Sequence, residues 1–353
     1  MKTNTFFKQT FLCIALGFMT LALSAQTTVN NNAGTAADFT SLQAAIDAAT
    51  AGDVIYLQHS AVSYGTINIT ESVTIIGRSS GDGSFISEVG RINLTNGASN
   101  TTIKGLKIND IRETGSGFTI TDVAFIDCSI SAGIISLGLN NTFNNMLFQG
   151  NVIRGSITLR ANTLNVLMTN NIILSTSVDL YMVDTLLFSN NIFGYFTGMT
   201  ITNRTTSLLD ISNSIFVASN NSNRTVNLNP LSGTIVVDNC ISYNYGTDNY
   251  NFSTGAGITI NANTQQNIDP LFTSVDKNNS NSIANASAAN FDPVNDDLNL
   301  LGGSTFVDDG IYEGYNFKNF GTPNGYPSIK VLASSASVPK NGNLSVTIEA
   351  KTN

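Results

Sequence analysis

The chain has 353 residues, of which 42% are hydrophobic and 11% are charged, and its formal net charge is −8. Charged residues make up about 25% of ordinary soluble domains, so Gly, Asn, Ser and Thr supply much of the polar character here. The hydrophobic content excludes a disordered chain, and the 16 Lys and Arg residues form no runs, which argues against nucleic acid or an anionic membrane surface as the partner.

The first 25 residues have the pattern of a secretory signal peptide. Lys2 and Lys8 precede an apolar core at residues 11–23, which is too short to span a bilayer. Small residues then predict cleavage after Ala25. No later stretch is long enough for a membrane helix, so we expect an exported protein. Release from the cell and attachment to its surface fit the sequence equally.

A short helix is predicted near residues 40–49. Thr40 and Gln43 have the spacing of a capping box. One helix face is apolar, at Leu42, Ala45, Ile46 and Ala49. A single helix ahead of many strands is well placed to cover the open edge of a sheet.

Three segments in the middle of the chain are nearly alike, at residues 147–153, 167–173 and 187–193. Their central asparagines, at positions 151, 171 and 191, lie twenty residues apart. A fixed period of this size predicts a stacked-repeat architecture, in which each repeat buries its apolar side against its neighbours.

Related segments extend the repeat in both directions and define columns of equivalent positions. The first column is apolar and is expected to point inward, at Ile103, Phe125, Phe148, Met168, Phe188, Ile211 and Val237. The third column holds residue types that tolerate the left-handed backbone of a bend, at Gly105, Asp127, Gly150, Asn170, Asn190, Asn213 and Asn239. The fourth column is Leu106, Cys128, Asn151, Asn171, Asn191, Ser214 and Cys240.

Each repeat is therefore predicted to be one coil of a helix of strands, with a rise of about 4.8 Å per coil. Asparagines stacked in the fourth column can form a ladder of side-chain amides inside the bend. Cys128 and Cys240 share that column five coils apart. At that rise they lie roughly 24 Å apart, beyond the reach of a disulfide. We expect two buried free thiols.

The pattern loosens after residue 242. Residues 274–290 predict a surface loop, and the segment from Asp292 to Leu300 predicts turns that close the last coil. Asn341-Gly342, between two strand-like runs, predicts a C-terminal hairpin that covers the far edge.

Several segments resemble secreted right-handed parallel β-helix proteins of the pectate-lyase-like superfamily. Residues 38–46 and 52–57 resemble their N-terminal cap and first coil, and residues 99–106 resemble their common internal coil. Residues 269–272 and 309–312 resemble the closing segment of many bacterial members. The resemblance implies an all-β fold, a single-stranded right-handed parallel β-helix (solenoid) with an N-terminal capping helix and a C-terminal hairpin. It does not define an activity, because this fold carries lyases, hydrolases, esterases, epimerases and adhesins.

The sequence shows no clear match to the catalytic motifs of enzymes in this superfamily. Pectate lyases of this superfamily carry a Ca²⁺-binding carboxylate cluster, and polygalacturonases carry an Asp-Asp pair and a Gly-His-Gly segment. The acids of this chain are scattered, and Asp296-Asp297 and Asp308-Asp309 fit turns near the C-terminal end. His59 is the only histidine, no Gly flanks it, and it is expected in a loop of the first coil.

The candidate catalytic residues are Arg154, Arg160 and Lys104. A basic group can neutralise a uronate carboxylate and make its α-proton removable. Residues 155–160 resemble an Arg-bearing coil of alginate-lyase-type β-helices, although Ala161 stands where those enzymes tend to have His. Solvated surface charge is the alternative interpretation of these cations. No cofactor or metal is predicted, and Ca²⁺ enters only if the protein is a lyase.

Tyr243, Tyr245 and Tyr250 are the candidate ligand-binding residues, because aromatic rings offer a platform for sugars. Packing of this segment against the coils is the alternative interpretation, and the chain has no Trp. The outward second column carries charge only at its two ends, Lys104 and Asp238, with no charged residue between them. That pattern disfavours catalysis on this face.

The sequence thus favours an exported, non-catalytic protein that contacts polysaccharide or a surface. A divergent polysaccharide lyase or glycoside hydrolase acting on an acidic glycan is the alternative, and a purely structural spacer is a third class. The predicted organisation is a signal peptide at 1–25, a β-helix at 26–315 and a C-terminal extension with a hairpin at 316–353. The sequence does not define an oligomeric state.

Overall fold

A computed structural model describes most of the chain after the predicted signal peptide. It describes residues 26–301, except 79, 81–84, 176, 182–185, 196–198, 206, 220–222, 248, 286–290 and 293–294, and the backbone of 327–334 and 346–352. The predicted signal peptide, Asp308-Asp309 and the Asn341-Gly342 turn lie outside the described residues.

One short helix and a long series of strands follow one another along the described chain. The first half contains β1 (Gln26–Val29), α1 (Leu42–Ala48), β2 (Asp53–Leu57), β3 (Ile67–Ile69), β4 (Val73–Gly77), β5 (Glu88–Leu94), β6 (Thr102–Lys104), β7 (Lys107–Glu113), β8 (Thr119–Ile126), β9 (Ser129–Leu137), β10 (Thr142–Gln149), β11 (Val152–Ile153), β12 (Ser156–Leu159), β13 (Thr163–Thr169), β14 (Ile172–Ile173) and β15 (Ser177–Leu180). The second half contains β16 (Leu186–Ser189), β17 (Ile192–Tyr195), β18 (Thr200–Asn203), β19 (Leu208–Ser212), β20 (Ile215–Ala218), β21 (Arg224–Pro230), β22 (Thr234–Asp238), β23 (Ile241–Asn244), β24 (Tyr250–Phe252), β25 (Ile258–Ile260), β26 (Gln265–Gln266), β27 (Phe272–Ser274), β28 (Asp297–Leu300), β29 (Pro327–Ser334) and β30 (Val346–Thr352).

The helix α1 lies beside the first strands, as the sequence predicts, but its cap differs in detail. The capping side chain is Ser41, whose Oγ accepts from the N–H of Ala44 at 3.3 Å, and not Thr40. Gln43 does not complete a capping box, because its side chain pairs with the main chain of Asn68 on β3, accepting at 2.7 Å and donating at 3.1 Å. The helix is thereby tied to the first coil as well as packed on it.

Two large parallel sheets form the body. The first sheet has eleven strands in the order β1-β2-β4-β6-β8-β10-β13-β16-β19-β22-β25. The second sheet has fifteen strands and begins as β3-β5-β7-β9. The long strand β9 then pairs with both β11 and β12, so the second sheet divides into two branches, β11-β14-β17-β20-β23-β26 and β12-β15-β18-β21-β24. From β9 onward each coil therefore has three strands and three outward sides, which is the architecture of a parallel β-solenoid.

The predicted columns of the repeat are confirmed. All seven first-column side chains are fully buried, and in neighbouring coils the rings of Phe125 and Phe148 stack at 5.3 Å. All seven third-column residues have a positive φ, between 47° and 67°, which turns the chain from the first sheet into the second. Each coil meets the same packing problem, so the same residue types recur.

The fourth column forms the predicted amide ladder. The Nδ2 of Asn151 donates to the Oδ1 of Asn171 at 3.0 Å, and Asn171 donates to Asn191 at the same distance. At the end of the ladder, Ser214 Oγ accepts from the N–H of Asn191 at 3.1 Å. The two cysteines of the column are buried free thiols, as predicted.

The chain beyond the last coils folds back along the solenoid. We call residues 271–301, where described, the strap. Its buried apolar side chains pack on the outward side of the β11 branch, and they are Phe272, Ile283, Ala284, Phe291 and Leu298. Strands β27 and β28 pair antiparallel within it. The predicted surface loop at 274–290 is therefore buried at 282–284, and the segment near Asp292 covers earlier coils instead of closing the last one.

The predicted C-terminal pair of strands is present. Strands β29 and β30 are antiparallel, with Val331 opposite Ile348. Among the described residues, no helix is long and apolar enough to cross a membrane.

Candidate functional site

The three outward sides of the coils differ in chemistry. On the first sheet, the predicted second column faces outward and its side chains are half-buried, except Thr169, which is buried. A second outward row on this sheet contains three leucines in register, Leu147, Leu167 and Leu187. This side is therefore a mixture of apolar and short polar groups.

The outward side of the β11 branch is apolar and covered. We call it the strap face, and its central row is Val152, Ile172, Ile192, Ile215 and Ile241. The strap lies directly on it, since a Cβ placed on Gly194 would meet the side chain of Ile283 at 3.2 Å. No part of this central row is available to a ligand while the strap is in place, because all five residues are at most 1% exposed.

The three candidate sugar-binding tyrosines are buried and do not form a surface platform. Tyr243, Tyr245 and Tyr250 are 8%, 7% and 1% exposed. Tyr243 and Tyr245 meet edge to face at 5.0 Å under the strap, and the Lys277 ammonium lies 5.4 Å from the Tyr245 ring centroid. Burial raises the pKa of both Tyr245 and Tyr250. Their surroundings match the alternative interpretation, in which this segment packs against the coils.

Arg154 anchors the strap. Its Nη1 donates to Ser129 Oγ at 2.6 Å, and its Nη2 donates to the carbonyl oxygen of Phe291 at 3.0 Å. Burial lowers the pKa of this guanidinium, and the nearby Asp292 carboxylate opposes that shift. The hydrogen bonds of Arg154 thus hold distant parts of the chain together.

Arg160 belongs to a stack at the edge of the β12 branch. Its guanidinium lies 4.4 Å from the ring centroid of Tyr181, and the guanidinium of Arg204 lies 5.0 Å from the same centroid. Arg204 Nε also pairs with Asp179 at 2.6 Å. We call Arg160, Tyr181 and Arg204 the arginine–tyrosine stack. Its members are separated by 21 and 23 residues, close to the repeat period, and this spacing is the signal that could have revealed it.

Lys104 lies on β6 of the first sheet, between Ile76 and Ile126 in register. It is therefore on a different sheet from Arg154 and Arg160. Within the part of the chain that the structure describes, no hydrogen bond, ion pair or ring contact joins any two of these three residues. The geometry does not assemble them into one catalytic groove.

The remaining sequence candidates have structural partners. Asp296 Oδ2 accepts from the N–H of Ile283 at 2.6 Å inside the strap, and burial raises the pKa of its carboxyl group. Asp297 begins β28. The His59 ring meets Phe85 edge to face at 5.5 Å in the first coils. In the described ranges, no group of three or more His, Cys, Asp and Glu residues is arranged to hold a metal ion.

The outward side of the β12 branch is polar, and we call it the polar face. One row runs in register through Thr158, Asp179, Thr202 and Asn229. A second row runs through Ser177, Thr200 and Asn227. The arginine–tyrosine stack borders these rows at the end of the same strands. The sequence does not reveal this face, because its rows lie after the second bend of each coil. The number of residues in that bend varies from coil to coil.

The class of protein is defined by this architecture, a parallel β-solenoid that has, in the described part of the chain, one helix near its N-terminal end and a strap over one side. No protein-family model, curated protein or solved structure matches the chain.

Proposed function

We propose that this protein contacts polysaccharide along the polar face without cleaving it. The observation that carries the proposal is the pair of in-register rows of hydroxyl, amide and carboxylate side chains on β12, β15, β18 and β21. Parallel strands repeat such groups about every 4.8 Å. A periodic flat surface suits an extended polymer with many hydroxyl groups, whereas small molecules favour concave pockets.

Rigidity supports the same proposal. The polar side chains project from a continuously hydrogen-bonded sheet whose inward residues, such as Ile157 and Val178, are fully buried. Little backbone freedom is lost when a ligand binds such a surface, so weak individual contacts can add up. The strap covers the neighbouring apolar face, so a polymer cannot bind there instead.

Although the net charge of the chain is −8, the local charge beside the polar face favours an acidic polymer. The arginine–tyrosine stack places two guanidinium groups beside the rows, and Asp179 neutralises one of them. The remaining positive charge can attract uronate or sulfate groups. The predicted signal peptide supports an extracellular setting in which such polymers occur.

Affinity electrophoresis in gels containing alginate, pectate, dextran sulfate or neutral dextran tests the proposal. Thr158→Tyr places a bulky ring at the first position of a row, and Ser212→Tyr is the matched control on the outward side of the first sheet. We expect retardation of the wild type by at least one polymer, and loss of most of that retardation only in Thr158→Tyr.

Two outcomes would contradict the proposal. One is the absence of retardation in every gel, and the other is an equal loss in both variants. Release of unsaturated uronates from alginate or pectate would favour the alternative, a divergent lyase.

A further inference from the structure

We propose that Arg91 and Arg112 form a binding site for the carboxylate or sulfate ester groups of an acidic polysaccharide. Arg91 lies on β5 and Arg112 on β7, and both donate through Nε to the same oxygen, Asp110 Oδ1, at 2.8 Å. We call these three residues the arginine fork. The inference rests on the proposed function for the polymer, and it adds the chemical group that is recognised.

The fork presents unused hydrogen-bond donors to solvent. Each guanidinium uses Nε for Asp110, and within the described chain neither makes a further hydrogen bond through its Nη atoms. Both arginine side chains are 40% exposed, whereas the Asp110 side chain is 3% exposed. A guanidinium edge binds carboxylate or sulfate oxygens with two parallel hydrogen bonds.

A shared acceptor fixes the spacing of the two arginines. Because both Nε atoms lie 2.8 Å from one oxygen, they are at most twice that distance apart. The other oxygen of Asp110 accepts from Asn109 Nδ2 at 3.0 Å, so the carboxylate is held on both sides. The arginines are therefore positioned before any ligand arrives, which lowers the entropy cost of binding.

The fork carries a net positive charge. Burial opposes ionisation of Asp110, but the hydrogen bonds from Arg91 and Arg112 outweigh it and lower the pKa of this carboxyl group. One anionic carboxylate then faces two cations. The neighbouring Lys107 is paired with Glu88 at 2.8 Å and adds no net charge.

The fork continues the polar face toward the N-terminal coils. Asp110 is in register with Gly133 on β9, and Gly133 is in register with Ser156 on β12. Gly133 has no side chain beside Asp110, whereas Arg112 is in register with Ile135 on the same strand, whose side chain is half-buried. A polymer lying along the rows can place an anionic group on the fork.

The test compares the full chain with a double variant, Arg91→Lys with Arg112→Lys. Lysine keeps the charge and can still pair with Asp110, but it lacks the paired donors of the guanidinium edge. The matched control is Lys107→Gln, which removes a cation from the same strand outside the fork. We expect the double variant to lose at least about tenfold in affinity for alginate, pectate or dextran sulfate. The control should retain its affinity.

The polymers separate the possible ligands. Loss confined to alginate and pectate assigns the fork to carboxylates, and loss confined to dextran sulfate assigns it to sulfate esters. Unchanged binding of all acidic polymers by the double variant would show that the fork is a structural ion pair only.

A second measurement separates failure of the fork from failure of the proposed function. Titration of the wild type with galacturonate or sulfate, followed by the NMR signals of the arginine Nε–H groups, reports on the fork alone. Shifts at Arg91 and Arg112 without any polymer binding would support the fork and overturn the proposed function. Polymer binding without such shifts, and with the same affinity in the double variant, would support the proposed function and overturn the fork.

Discussion

Replacing Asn171 by alanine removes the centre of the buried amide ladder. Its Oδ1 accepts from the N–H of Asn151 at 2.9 Å and from Asn151 Nδ2 at 3.0 Å. Its Nδ2 donates to the carbonyl oxygen of Phe148 at 2.9 Å and to Asn191 Oδ1 at 3.0 Å. The side chain is fully buried, so water cannot take over these contacts.

The expected loss of stability follows from the groups left behind. The N–H of Asn151 loses its acceptor, which costs about 1–3 kcal/mol for a buried donor. The carbonyl of Phe148 loses one donor, and the missing amide leaves a small cavity. Together these changes should lower the free energy of unfolding by about 3–5 kcal/mol. Asn171→Ser should lose less, because Ser214 already serves as an acceptor at the end of the ladder.

Guanidinium unfolding followed by far-UV circular dichroism measures the effect. Stacked repeats can depart from two-state unfolding, so m values must be compared before midpoints are converted to free energies. Asn227→Ala is the control, since Asn227 is exposed on the polar face and its change should stay within about 0.5 kcal/mol. A midpoint for Asn171→Ala as close to the wild type as that of the control would refute the stabilising role of the ladder.

Two further predictions concern buried groups elsewhere. Burial raises the pKa of the Cys128 thiol to about 12, so the stability that the protonated thiol supplies is present below the pKa of the unfolded chain and is lost as pH rises from about 9 to 12. Unfolding midpoints across this range should therefore fall less steeply in Cys128→Ala, and equal slopes would contradict the prediction. Phe291→Ala removes a buried ring from the strap, which should cost about 3–5 kcal/mol locally and increase binding of a hydrophobic dye. Dye fluorescence equal to that of the wild type would show that the strap does not depend on this ring.

The interior of the coils could be predicted from the sequence, because the same arrangement of buried and bend residues recurs in each coil. A single position illustrates the reason: Asn170 has a φ of 60°, a conformation that few residue types adopt at low cost. The next residue, Asn171, enters the ladder, and Met168, two positions before Asn170, is fully buried. Three such roles within four consecutive residues, recurring at a nearly regular period, identify the bend and the inward side from the sequence alone.

The position of the strap could not be predicted from the sequence, because its contacts join distant parts of the chain. Arg154 and Phe291 are 137 residues apart in sequence, and no local pattern couples them. The sequence of the coils nevertheless indicates that one of their outward sides is covered. Val152-Ile153 and Ile172-Ile173 are apolar at both positions of a strand, and both residues of each pair are buried. A strand that is apolar on both sides must be covered on both sides.

The same rule separates the polar face from the strap face. In β20 and β23 every residue is buried, whereas in β12 and β15 buried residues alternate with partly or fully exposed ones. Alternation means that one side of a strand meets water or a polar ligand. The two branches leave the same strand, β9, yet on the β12 branch the outward residues of β12 and β15 stay partly exposed, and Thr202 on β18 is the buried member of the row. The arginine fork lies on the continuation of that side toward the N-terminal coils, and the arginine–tyrosine stack lies at its edge. Cationic donors and in-register hydroxyl groups are thus concentrated on the side that the strap leaves open, which is why the polar face is the surface to test first.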